Sequence, residues 1–163
     1  MKKPIIASLV LGVIIFVASC VKSAQPGYIT CTGPKPAQDS TALLAFASAN
    51  GITPTLDTTG LYYEIIDSGA GVRPTLNSRI YVTYVGKLMT GFTFDSVSNA
   101  ANTNFLLSSL IQGWQIGIPK IMKGGHIKLL IPSAYGYGCT GSSSGLVPAN
   151  APLYYDVQLV DVQ

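Results

Sequence analysis

Hydrophobic positions change rhythm several times along the chain. Behind the basic start Met1-Lys2-Lys3, Ile5 to Val17 is an almost unbroken apolar run. It is shorter than the about 20 residues a membrane-spanning helix needs and suits the apolar region of a secretory signal peptide. Residues 21–38 lose all period and carry Pro26, Gly27, Gly33, Pro34 and Pro36, the composition of a tether. From Asp39 the spacing becomes helical. Leu43, Phe46 and Ala47 share one face, Asp39 or Ser40 offers an N-cap, and Asn50-Gly51 is a stop. The expectation is a short helix that docks on the main domain.

After Pro54 the pattern turns to strands. Leu61 to Ile66 is rich in aromatic and β-branched residues and ends at Asp67-Ser68-Gly69. Ile80 to Val85 is a second strand, closed by Gly86; Phe92-Thr93-Phe94 and Phe105-Leu106-Leu107 are shorter candidates. His126 to Ile131 and Leu153 to Val160 complete the set. Only Ile111 to Ile118 reads as helical in this half, and Pro119 stops it after one or two turns. Strands wrapped around one short helix predict an α+β domain with an antiparallel sheet. No internal repeat is visible.

Composition sharpens this division. At 163 residues there is room for one ordinary domain plus an extension. Charged residues are 10% of the chain, against about a quarter in an average soluble domain. The net charge of +3 comes from ten Lys and Arg against seven Asp and Glu. Loss of Lys2 and Lys3 with a leader leaves eight against seven, about +1. No basic patch then argues for nucleic acid, and low charge density favours an apolar partner.

Val17-Ala18-Ser19-Cys20 is an aliphatic residue, two small residues and a cysteine, and resembles a bacterial lipobox. That resemblance implies cleavage after Ser19 and acylation of Cys20, with several acyl chains anchoring the protein durably. Val21-Lys22 lacks the aspartate that would suggest retention at the inner membrane, so the expected location is the bacterial cell envelope, on the outer membrane facing the periplasm. Cys31 and Cys139 then remain as an even pair in an oxidising compartment, and a disulfide between them is expected. Such a bridge closes a long loop, worth roughly 4–5 kcal/mol on the chain-entropy picture.

Two matches to known motifs fail on context. Gly136-Tyr137-Gly138-Cys139-Thr140-Gly141 fits G-x-G-x-x-G, but a dinucleotide site needs those glycines to open a helix, and Ser142-Ser143-Ser144-Gly145 and Pro148 follow instead. Gly141-Ser142-Ser143-Ser144-Gly145 fits G-x-S-x-G. A nucleophile elbow has its histidine downstream, whereas His126, the only histidine, lies upstream in a strand pattern. His126 is expected to face solvent. No cluster of ligating residues proposes a metal, and no cofactor is implied.

A joint constellation remains. Tyr81-Val82-Thr83-Tyr84-Val85-Gly86-Lys87-Leu88 is followed by Gly91-Phe92-Thr93-Phe94-Asp95-Ser96, then Leu110-Ile111-Gln112-Gly113-Trp114, then Lys123-Gly124-Gly125-His126-Ile127-Lys128-Leu129. Ile131-Pro132-Ser133-Ala134-Tyr135-Gly136-Tyr137-Gly138 and Leu153-Tyr154-Tyr155-Asp156-Val157-Gln158-Leu159 close the series. In order and approximate spacing this resembles the FKBP-type peptidyl-prolyl isomerases, from about Gly60 to Gln163.

The resemblance implies an antiparallel half-barrel sheet around the short helix, with an apolar cleft between them. Trp114 would be its floor and Tyr84, Phe94 and Tyr155 its walls, Tyr155 standing where the family commonly has Phe. Leu110 and Ile111 would form the rim, with the Ile111 N–H donating to the ligand. Asp95 would be the polar group beside Tyr84, and Tyr137 a phenolic donor from the long loop. Phe105 and Leu146 would be further substrate contacts. The implied organisation is a leader (1–19), a tether after lipidated Cys20 (20–38), an N-terminal helix and linker (39–59) and an isomerase domain (60–163). Implied partners are proline-containing polypeptides, macrolide inhibitors and a membrane. The absence of a long helical arm predicts a monomer. A non-catalytic chaperone or proline-segment binding module is the alternative that shares the same cleft.

Overall fold

The structure is a computed structural model that describes Gly33 and residues 35–163. The leader, Cys20, Cys31 and most of the expected tether lie outside the described residues. Among the described residues no helix is long and apolar enough to cross a membrane.

Seven strands form one open antiparallel sheet. They are β1 (Thr55–Leu56), β2 (Tyr62–Asp67), β3 (Arg79–Leu88), β4 (Thr93–Val97), β5 (Phe105–Leu106), β6 (His126–Ile131) and β7 (Leu153–Val162). Their order is β1-β2-β6-β7-β3-β4, with β5 paired to β3. Helix α1 (Ser40–Ala49) precedes the sheet, and α2 (Gln112–Gly117) lies between β5 and β6. Pro119 sits in a 3₁₀ turn, Ile118–Lys120, that ends the second helix.

The two-residue period of the strands divides the sheet into faces. Ile80, Val82 and Tyr84 of β3, Ile127, Leu129 and Ile131 of β6, and Tyr155, Val157 and Leu159 of β7 are buried in one cluster with Trp114 and Ile118. Leu130 and Tyr154 point the other way. There Leu43, Phe46 and Ala47 of α1 cover them, with the Phe46 and Tyr154 rings 5.1 Å apart. Both helices are therefore held by burial, one on each face of β6 and β7.

Two strand boundaries differ from expectation, each for a packing reason. Gly86 does not close β3; the strand runs on to Leu88. A side chain at Gly86 would come within 2.8 Å of Tyr155 and 2.9 Å of Phe94, so the glycine makes room for two rings. Opposite it, Gly86 pairs with Asp95 while Lys87 pairs with Thr93, which leaves Phe94 as the extra residue of a bulge. The last strand passes Val160 because a second bulge resets its phase. Tyr81 pairs with Asp161 and Val82 with Leu159, so Leu159 and Val162 both face the core while Val160 is exposed.

Two polar expectations also change. Asp39 stands at the start of α1 but makes no side-chain cap; its Oδ2 accepts instead from the Ser133 N–H at 2.7 Å and the Ser133 hydroxyl at 2.6 Å. His126 does not simply face solvent. Its Nε2 lies 2.5 Å from Asp156 Oδ1 across β6 and β7. Asn50-Gly51 ends α1 as expected, with Gly51 at φ 64°.

Helix α2 rests on β6 at unusually short range. A Cβ on Gly113 would meet Ile131 Cγ2 at 2.4 Å, and one on Gly117 would meet Leu129 Cδ2 at 2.5 Å. Ile131 and Leu129 are fully buried and have nowhere to retreat. Gly113→Ala is therefore expected to destabilise the fold by about 1–3 kcal/mol, as overpacking does. Urea unfolding followed by circular dichroism checks this: the midpoint should fall while the slope stays unchanged.

Candidate active site

The residues of the expected cleft converge where α2 begins. A 3₁₀ turn, Leu107–Ser109, leads into Leu110 and Ile111. The Ile111 carbonyl then starts the helix, accepting from the Trp114 N–H at 2.9 Å and the Gln115 N–H at 3.3 Å. The Ile111 N–H itself meets no acceptor among the described residues. Gln115 holds this entry in place: its Nε2 donates to the Leu110 carbonyl at 2.7 Å and to the Ser108 carbonyl at 3.2 Å. Gln115 was not legible as a site residue, because a glutamine inside a short helix carries no positional signal.

Above this entry lies a cavity of about 190 Å³ with walls from Tyr84, Tyr155, Tyr137 and Phe105, a rim of Leu110 and Ile111, and Trp114 and Asp95 completing the lining. It suits one small ring rather than a drug-sized ligand. Broader hollows of about 400 Å³ on the outer sheet face and about 560 Å³ beside α1 do not gather the aromatic residues.

The aromatic geometry is specific. Trp114 meets Tyr84 at a centroid distance of 5.2 Å and 88°, and Tyr155 at 5.2 Å and 86°. Phe94 meets Tyr155 at 5.5 Å and 88°. Perpendicular contacts of this kind match the positive edge of one ring to the negative face of another, each worth about 0.5–1.5 kcal/mol beyond burial. Phe94 thus braces Tyr155 from behind and is not itself a lining residue. Leu146 is 47% exposed and does not reach the cavity. Trp114 is only 3% exposed, and its indole N–H is buried without an acceptor among the described residues. A buried unsatisfied donor costs about 1–3 kcal/mol, a cost more typical of a site than of plain core.

Polar groups are few and placed. The Tyr84 hydroxyl donates to Asp95 Oδ2 at 2.7 Å. Burial, followed by this hydrogen bond, pushes the Tyr84 hydroxyl well above the ordinary tyrosine range. Tyr155 moves the same way, first through burial and then through the neighbouring Tyr137 hydroxyl. Both phenols stay neutral, so Asp95 brings the only formal charge to the lining. The cleft is aromatic, poor in charge, and edged by an unpartnered N–H and a phenol.

The long loop after β6 confirms neither rejected motif. Gly138, Gly141 and Gly145 have φ of 57°, 75° and 75° and make turns, and no helix follows. Cys139, in this loop, is disulfide-bonded; its expected partner Cys31 lies outside the described residues. Among the described residues no group of three or more ligating side chains could hold a metal ion.

Thr103 is a second residue that pattern reading missed. Fully buried, its hydroxyl accepts from the Val82 N–H at 2.8 Å and lies 3.1 Å from the Val82 carbonyl. It stands in for a strand neighbour where β4 leaves β3, and so holds the Asn- and Ala-rich segment that leads to Phe105.

Residues 71–160 match the family of FKBP-type peptidyl-prolyl cis-trans isomerases. The chain is 37% identical over 119 residues to the FKBP-type peptidyl-prolyl cis-trans isomerase FkpA of Escherichia coli, covering 72% of this chain and 43% of that protein. It is 34% identical over 122 residues to the peptidyl-prolyl cis-trans isomerase Mip of Coxiella burnetii, covering 73% of this chain and 53% of that one. It therefore spans about half the length of these relatives. The crystal structure of Escherichia coli FkpA superposes with a TM-score of 0.66 at 34% identity, over 79% of this chain and 59% of that one. A peptidyl-prolyl cis-trans isomerase from Pseudomonas syringae gives 0.63 at 28% identity, over 77% of this chain and 96% of its own. With a family match over more than half of its length and relatives of this identity, the chain belongs to the FKBP-type peptidyl-prolyl cis-trans isomerase family.

Proposed function

We propose that the chain catalyses cis-trans isomerisation of X–Pro bonds and assists the folding of polypeptides in a bacterial cell envelope, held to the membrane by lipid on Cys20. The observation that carries the catalytic reading is the convergence of Trp114, Tyr84 and Tyr155 on a ring-sized cavity beside the unpartnered Ile111 N–H.

Rotation about a peptide bond is opposed by resonance, with a barrier of about 18–20 kcal/mol. The two isomers of X–Pro differ by only about 0.5–1 kcal/mol, so no bond need break and only the barrier must fall. Twisting removes resonance and makes the carbonyl less polar. A dry aromatic cleft disfavours the polar planar amide more than the twisted one, and that difference is catalysis. Trp114 and Tyr155 enclose the proline ring, with Phe94 holding Tyr155 upright. The Ile111 N–H and the Tyr137 hydroxyl hold flanking carbonyls, and Asp95 fixes Tyr84. A macrolide would compete by seating one of its rings in the same cleft, the rest of it lying outside the cavity.

A protease-coupled assay on a proline tetrapeptide tests this. The chain from Val21 onward should accelerate exchange, and Trp114→Leu and Asp95→Val should each lower kcat/KM about tenfold, about 1.4 kcal/mol. Ser143→Ala, on an exposed turn, should leave it unchanged. No acceleration over the uncatalysed rate would leave a binding module.

Anchoring has its own support in the Val17-Ala18-Ser19-Cys20 sequence. Labelled palmitate should enter the wild-type protein and not Cys20→Ala. We also propose that Cys139 pairs with Cys31, which ties the N-terminal extension to the loop of Tyr137. Mass spectrometry of non-reduced peptides should find that linkage; a Cys20–Cys139 peptide would overturn both it and the lipid anchor.

A further inference from the structure

We infer that Asp39, in the N-terminal extension, is a positioning residue for Tyr137 in the cleft, acting through the buried backbone of Ser133. The inference rests on the isomerase reading only for what Tyr137 does; the linkage itself is geometric.

Ser133 is fully buried and begins the 3₁₀ turn Ser133–Tyr135 that follows β6. Both of its donors point to one atom: its N–H and its hydroxyl reach Asp39 Oδ2 at 2.7 and 2.6 Å. Its carbonyl faces the other way and accepts from the Gly136 N–H at 3.1 Å and the Gly138 N–H at 2.9 Å. Those two glycines flank Tyr137. One residue thus receives a carboxylate on its donor side and holds both neighbours of a cleft phenol on its acceptor side.

The two sides lie on successive peptide planes joined at the Ser133 Cα, so they are coupled through the φ and ψ of that one residue, at the start of the 3₁₀ turn. Fixing the Ser133 N–H and side chain limits the rotation that sets the direction of its carbonyl. Hydrogen bonds to a charged acceptor are also about twice as strong as neutral ones, and this one spans 94 positions of sequence. Gly138 needs that hold, since its φ of 57° is a conformation glycine leaves easily. Tyr135 adds a lateral tie, its hydroxyl donating to the Thr59 carbonyl at 2.7 Å. Beyond the loop, the Asn150 N–H donates to the Gly138 carbonyl at 2.7 Å.

A carboxylate that merely docked α1 would affect stability alone. A positioning carboxylate must act through Tyr137, and a double-mutant cycle separates the two. In the full chain, Asp39→Ala should lower kcat/KM on a proline tetrapeptide three- to tenfold, mostly in kcat. Asp39→Asn, which keeps an acceptor oxygen, should restore most of it. Added to Tyr137→Phe, Asp39→Ala should cause no further loss. Amide hydrogen exchange at Gly136 and Gly138 should quicken at least tenfold in Asp39→Ala, while Val82 and Leu129 exchange as in the wild type. Ser133→Ala removes one donor with little change of volume, and should show the same pattern at smaller size if Asp39→Ala does not fold. An additive loss on Tyr137→Phe, or unchanged exchange at the two glycines, overturns the inference. A wild-type chain without isomerase activity overturns the functional reading instead, and the exchange measurement then decides the linkage alone.

Discussion

Everything in the cleft depends on how closely α2 lies against β6. Gly113 and Gly117 lie one turn apart on the side of the helix that meets Ile131 and Leu129, at distances no Cβ could occupy. The helix is therefore lowered into the sheet, and Trp114 arrives between Tyr84 and Tyr155 at perpendicular contact. A helix of six residues has little stability of its own. Its position is set by packing, and the packing is set by two missing side chains. Gly86 repeats the device on the sheet, leaving room for Phe94 and Tyr155 to meet edge to face. Three glycines thus fix the positions of four aromatic rings.

The consequence is a site whose chemistry is mostly exclusion. Burial and the Asp95 contact keep the Tyr84 phenol neutral, and burial beside Tyr137 does the same for Tyr155. On the proposed isomerase reading, a surface of this kind treats a planar, polar amide as a worse guest than a twisted one. The directional groups sit at the margin: the Ile111 N–H at the helix entry, held by Gln115 through the neighbouring Leu110 carbonyl, and the Tyr137 hydroxyl on the opposite loop. On the same proposed reading, these groups orient a chain without contacting the bond that turns.

The alternating strands were legible because one face is buried, and a two-residue period then shows through. β2 and β6 follow the pattern within a residue or so. The errors cluster at bulges and at glycine. A bulge inserts one residue and inverts the phase, so Leu159 and Val162 read as opposite faces although both are inward. Gly86 reads as punctuation because its reason, two rings arriving from β4 and β7, is distant in sequence. Trp114, Tyr84, Asp95 and Tyr155 were legible only jointly, through order and spacing, since each alone fits a plain core or turn. Leu146 stands exposed, away from the cavity lining, and turns built on Gly141 and Gly145 carry no direction that a linear pattern can express. Asp39 reads as one of two candidate helix caps because caps are local, whereas its partner Ser133 lies 94 positions along the chain, just past β6.

That last misreading bears on what the N-terminal extension is for. An extension that only tethered the domain would need no specific contact with it. Here α1 buries Leu43, Phe46 and Ala47 against Leu130 and Tyr154 on the outer face of the two central strands whose inner face carries Leu129 and Tyr155. Successive residues of one strand cannot move independently, so a helix that fixes Tyr154 also fixes the backbone from which Tyr155 projects. With Asp39 on Ser133, the extension grips both a wall of the cleft and the loop opposite. A chain cut at Gly60 would keep every cleft residue yet lose the contacts that Asp39 makes with Ser133 and that α1 makes with Leu130 and Tyr154.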